Sequence, residues 1–168
     1  MFIEMKVAGV TMDPFSNTPI VILKDLHGKT ALPIWIGILE ASAIATELGE
    51  VKPPRPMTHD LLKNILEKLD VKLIKIEVTD LKNNTFFATI YLTWMDKNFA
   101  IDARPSDAIA LALRTNSSIY VNEKVVEESR AVNLGKEERL LNEGTNEEQK
   151  WHEILENLSP EDFGKYKM

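Results

Sequence analysis

Not one of the 168 residues is a cysteine. That excludes a disulfide framework, thiolate metal sites and a cysteine nucleophile, and it suits a reducing compartment. Long apolar runs are also missing: nothing approaches the roughly 20 residues needed to cross a bilayer. The start, Met1-Phe-Ile-Glu-Met-Lys6, lacks the basic-then-apolar pattern of an export signal. A cytoplasmic protein with no membrane partner is therefore expected. Excess positive charge is lacking as well, since the formal net charge is −6, which argues against a protein that coats nucleic-acid duplexes. The acidity is uneven, because residues 131–168 carry nine acidic and five basic side chains. The body is thus closer to neutral and has room for a local basic patch. No Walker loop, dinucleotide glycine fingerprint, HExxH or GxSxG elbow occurs.

The chain length fits one domain, or one domain with an appendage, and the elements that follow make it α+β. Met5–Met12, Pro19–Leu23 and Ala31–Ile36 read as strands separated by the turns Asp13–Asn17 and His27–Lys29. Glu40–Leu48 then has helical composition, with Gly49 placed to end it. Three prolines in Val51-Lys-Pro-Pro-Arg-Pro-Met57 forbid a helix and favour a stiff connector. Thr58 is the expected N-cap of a helix over 59–69, whose apolar positions 61, 62, 65, 66 and 69 form a stripe expected to face a core.

A shift of 67 positions superposes Asp13 on Asp80, Asn17 on Asn84, Thr18 on Thr85, Ile34 on Ile101, and Ala41, Ala43 and Ala45 on Ala108, Ala110 and Ala112. Seven identities in 33 positions exceed the roughly two expected from ordinary residue usage. The pattern predicts a duplicated strand-strand-strand-helix unit, about 1–50 and 68–117, with residues 51–69 between, around a shared mixed sheet or barrel-like core. Ser118–Val121 reads as one more short strand. The domain is expected over 1–130 and an acidic helical tail over 131–168. In that tail Thr145-Asn-Glu-Glu148 is a capping box, and Trp151, Ile154, Leu155 and Leu158 share one side.

Two stretches carry chemistry. In Asp102-Ala-Arg-Pro-Ser-Asp-Ala-Ile109, the acid at 107 recurs as Glu40 in the first copy. Carboxylates in a first helical turn, and Pro105 at the first helical position, are explained by helix initiation alone. Asp102, Arg104 and Ser106 have Trp35, Gly37 and Leu39 as counterparts, so duplication does not account for them. Strand alternation places Asp102 and Arg104 on one face, where they would form a structural ion pair or present a carboxylate and a guanidinium to a phosphate at a helix start. In Arg55-Pro-Met-Thr-His-Asp60, His59 is a candidate general base or metal ligand and Arg55 a phosphate clamp. Ordinary surface placement is the plainer reading of both. His27 and His152 have no such company, and Trp35, Trp94 and Trp151 read as core or interface residues.

Leu32-Pro-Ile-Trp-Ile-Gly37 with Glu40-Ala41, Arg55-Pro-Met-Thr-His-Asp-Leu-Leu62 and Ile101-Asp-Ala-Arg-Pro-Ser-Asp-Ala-Ile-Ala-Leu-Ala112 together resemble the bifunctional nuclease family. The closing Leu155–Phe163 also resembles the tail of bacterial members. The resemblance implies an α+β domain acting on DNA and RNA. In that setting Asp102, Asp107 and Glu40 would hold Mg²⁺ or Mn²⁺, Arg104 and Arg55 with Ser106 would bind the phosphate, and His59 would act as base or acid. Two non-catalytic readings stand beside it: a structural or regulatory homo-oligomeric module, and a domain that binds a nucleotide or other small anion without cleaving it.

Overall fold

The computed structural model describes residues 1–130. The tail readings, including the Thr145 capping box, Trp151 and His152, lie outside the described residues. In chain order the elements are β1 (Phe2–Met12), β2 (Pro19–Asp25), β3 (Ala31–Trp35), α1 (Ile38–Leu48), α2 (Thr58–Lys68), β4 (Lys72–Lys82), β5 (Thr85–Trp94), β6 (Lys97–Ala103), α3 (Pro105–Thr115) and β7 (Ser118–Asn122). A further helix, α4, occupies residues 123–130.

All seven strands form one sheet in the order β3-β2-β1-β7-β4-β5-β6. It is open, with β3 and β6 at its edges, so the mixed-sheet alternative is realised and the barrel is not. Only β4 and β7 run parallel; every other pairing is antiparallel. Two hairpins turn through two-residue loops, Asn83-Asn84 and Met95-Asp96, all four residues at positive φ. That left-handed pair matches the right-handed twist of the flanking strands. It is easy for asparagine and unusual for Met95.

One sheet face is covered. Ile76 and Val78 of β4, Ala88 and Ile90 of β5, and Ile119 and Val121 of β7 meet Ala108, Ile109, Leu111 and Ala112 of α3 in a single buried cluster. Ala41 and Ile44 of α1, and Val125 and Val126 of α4, complete it. The alanine-rich faces let α1 and α3 approach closely enough for an α3 side chain to donate to an α1 backbone carbonyl. On the opposite face Lys75 and Tyr91 both bind the buried Glu77, at 2.6 and 2.7 Å. This satisfies a carboxylate that would otherwise be costly to bury.

Helix α2 departs from the sequence reading in two ways. Its N-cap is Met57, not Thr58, because the Asp60 carboxylate accepts the Met57 backbone N–H at 2.8 Å and fixes the start one residue earlier. Its apolar stripe does not face the core: Leu61, Leu62, Ile65 and Leu69 are 42–60% exposed and only Leu66 packs inward. The helix packs chiefly on α3 rather than over the sheet. Periodicity shows that a stripe exists and leaves open what covers it.

Candidate active site

Helix α3 begins where β6 ends. Arg104 is its N-cap, in extended conformation, and Pro105 opens the first turn with the φ a helix requires. Asp107 follows in that turn. The start of α1, with Glu40 in its own first turn, and the start of α2, with His59, lie against this end of α3.

The side chains form a chain of contacts. His59 Nε2 and Asp107 Oδ1 are 3.0 Å apart. Arg104 donates from Nε to Asp107 Oδ2 at 2.8 Å and pairs through Nη1 with Glu40 Oε1 at 2.6 Å. The histidine side chain is 13% exposed, whereas that of Arg104 is 66% exposed. Burial pushes the Asp107 carboxyl up, but the hydrogen bonds from Arg104 and His59, reinforced by the Arg104 charge, outweigh it and hold it below the ordinary range. Arg104 is raised in turn, first by its bond to Asp107 and then by Glu40. A carboxylate that accepts from Nε2–H selects the tautomer whose Nδ1 is a free base, and Nδ1 makes no hydrogen bond among the described residues.

A second polar cluster lies two turns further along the same face of α3. Arg114, its side chain 3% exposed, donates from Nε to Asp60 at 2.6 Å and from Nη1 to the carbonyls of Ala43 and Ala110 at 3.1 and 2.9 Å. Glu47 of α1 stands 4.0 Å from its Nε. Burial raises the Asp60 carboxyl, and the bonds from Arg114 and the Met57 backbone more than reverse this, leaving it lowered. Arg114 and Glu47 were not singled out in the sequence. The available signal was the seven-residue spacing from Asp107 to Arg114, which returns to the same helix face.

The predicted residues separate accordingly. His59, Asp107, Arg104 and Glu40 come together. Arg55 does not join them, but lies exposed on the proline connector beside Asp60 and Arg114. Ser106 is buried in the first turn of α3 and bonds to none of the four. Asp102 is exposed on β6 opposite Thr89, forms no ion pair among the described residues, and does not pair with Arg104. Of the two arrangements read for Asp102 and Arg104, the ion pair is not formed, because Arg104 has left the strand to cap α3 and turns to Glu40 and Asp107 instead. The three carboxylates proposed for a divalent ion are not assembled either. Among the described residues no group of three or more His, Asp or Glu is placed to hold a metal, and Glu40 and Asp107 are both engaged by Arg104. Trp35 is half-buried on β3, and its Nε1–H donates to Asp13 at 3.0 Å.

A family model described as the bifunctional nuclease domain matches residues 21–133. An uncharacterized protein of Mycobacterium tuberculosis is 38% identical over 162 residues, which cover 95% of this chain and 97% of that protein. Bifunctional nuclease 2 of Arabidopsis thaliana is 28% identical over 118 residues, 68% of this chain and 36% of the plant protein. Bifunctional nuclease 1 of Oryza sativa subsp. indica is 24% identical over 109 residues, 62% and 33% respectively. The chain therefore corresponds to about a third of each plant protein. The matched stretch contains all four residues that meet at the start of α3, and the chain belongs to the bifunctional nuclease domain family.

Proposed function

We propose that the protein is a nuclease that hydrolyses phosphodiester bonds of DNA and RNA, with the His59–Asp107–Arg104–Glu40 cluster as its centre. The observation that carries this is the His59–Asp107 contact beside an exposed guanidinium. A base held in one tautomer by a carboxylate is what activation of water requires. In the proposed step His59 Nδ1 takes a proton from water as the water oxygen bonds to phosphorus. The bond from phosphorus to the leaving oxygen breaks, and that oxygen takes a proton from solvent. Arg104, fixed by two carboxylates on one side and open to solvent on the other, offers its remaining donors to the non-bridging phosphate oxygens. The names of the plant relatives support the substrate class. No step is routed through a divalent ion, because Asp102 stands apart from Glu40 and Asp107, and Arg104 engages both of those carboxylates.

The experiment is hydrolysis of single-stranded and duplex DNA and of RNA by the purified protein, in EDTA and with Mg²⁺ or Mn²⁺ in turn. Turnover that disappears in His59→Ala while the fold is retained is the expected result. Turnover unchanged in that variant overturns the assignment.

Two further readings belong to the same proposal. The half-exposed stripe of α2 supports self-association with a second copy of the chain through Leu61, Leu62, Ile65 and Leu69. The placement of β1–β3 with α1 and of β4–β6 with α3 on either side of β7 supports an internal duplication.

A further inference from the structure

Between the end of α1, the proline connector and the start of α2 is a pocket of about 240 Å³ that the reaction above does not use. Its charged lining consists of Lys52, Arg55, Arg114, Glu47 and Asp60. The two carboxylates already face the Arg114 guanidinium, at 4.0 and 2.6 Å. Lys52 and Arg55 have no ion-pair partner among the described residues and sit on a segment stiffened by Pro53, Pro54 and Pro56. Arg114 uses Nε and Nη1 within the protein, and Nη2 makes no hydrogen bond there. A buried guanidinium with donors to spare and two free cations at the rim call for an anion.

We propose that this pocket is a subsite for a second phosphate of the nucleic-acid strand whose cleavage is assigned to His59; it rests on that reading. Asp107 and Arg114 are seven residues apart on α3, a rise of about 10 Å. Stacked nucleotides advance about 3.4 Å each along one strand, so the pocket engages a phosphate roughly three nucleotides from the scissile one. His59 and Asp60, adjacent at the start of α2, then serve the two sites separately: one faces Asp107 and the other anchors the pocket floor. The protein should accordingly measure a minimum substrate length.

The test uses oligothymidylates of two, four and six nucleotides. The expected result is a kcat/KM about tenfold higher for the hexanucleotide, which carries phosphates three nucleotides apart, than for the dinucleotide, which carries one; this is the value of one charge-assisted contact. In the Lys52→Ala/Arg55→Ala double variant that ratio should fall toward one, chiefly through KM. A second arm measures binding of inorganic phosphate and of the hexanucleotide by calorimetry, independently of turnover. Binding that weakens about tenfold in the double variant sustains the subsite even if no substrate is cleaved, in which case the nuclease reading fails alone. Hydrolysis with no length dependence, or binding unchanged in the double variant, overturns the subsite and leaves the nuclease reading in place.

Discussion

His59 and Asp107, 48 positions apart in sequence, meet at 3.0 Å because α2 and α3 present their first turns to each other. The pairing gives Asp107 a task that helix initiation does not require. Replacing it with Asn keeps the shape and removes the charge that selects the His59 tautomer. The expected outcome for Asp107→Asn is a fall in kcat of about 100-fold or more, the range of a general base that has lost its orientation. Circular dichroism should be unchanged and the melting temperature should fall only slightly, because solvent screens the ion pairs of a side chain that is one-third exposed. A full kcat would show that the contact is only structural.

Arg114 and Asp60 have the opposite character. Arg114 is almost fully buried, so removing its partner leaves a charge that water reaches only through the pocket beside it. Asp60→Ala is expected to cost about 3 kcal/mol, the lower end for a broken buried pair, because two backbone carbonyls still hold the guanidinium. For a chain of this size that is a drop of roughly 6–12 °C in melting temperature. A loss under 2 °C would contradict this account. Arg114→Met, which removes the charge together with its need for a partner, should be the milder change.

Acid should weaken the fold through the same carboxylates. Asp60 and Asp107 are held below their ordinary values, so their contribution to stability is complete above the unfolded value of about 3.9 and is lost as pH falls through the lowered native ones. Urea midpoints measured from pH 6 to pH 2 should therefore decline mainly below pH 4. In Asp60→Asn that decline should be shallower, because one of the groups whose native value differs from its unfolded value is gone. An equally steep decline in the variant would assign the acid sensitivity to other carboxylates.

Much of the fold was legible because its signals are local. The turn at Asp13–Asn17, the connector around Pro53 and Pro54, and the switch from strand to helix at Pro105 each follow from backbone restrictions on a few residues. The site was legible only in part. His59, Arg104, Asp107 and Glu40 could be named as residue types suited to chemistry, but their grouping depends on three helix starts converging. Arg104 was misplaced by extending strand alternation from Asp102 one residue too far, past Ala103 to a position that had already turned to cap α3. Arg114 was missed because a cation at the end of an alanine-rich helix ordinarily lies in solvent facing the C-terminal dipole. Here close helix packing buries it and Asp60 neutralises it.

The stripe on α2 poses the remaining physical question, since Leu61, Leu62, Ile65 and Leu69 leave about half of their surface in water. Burying the exposed half of one such side chain is worth about 1 kcal/mol, so four on each of two copies offer several kcal/mol to a symmetric contact. Light scattering after gel filtration should give a mass above the monomer at micromolar concentration. The Leu61→Gln/Ile65→Gln pair should lower it toward the monomer. Both positions are exposed and only Leu66 of the helix enters the core, so the monomer should keep its fold and its circular dichroism spectrum. A wild-type protein that stays monomeric up to about 100 μM would remove self-association as the reason for the stripe, because that concentration corresponds to no more than about 5 kcal/mol of binding.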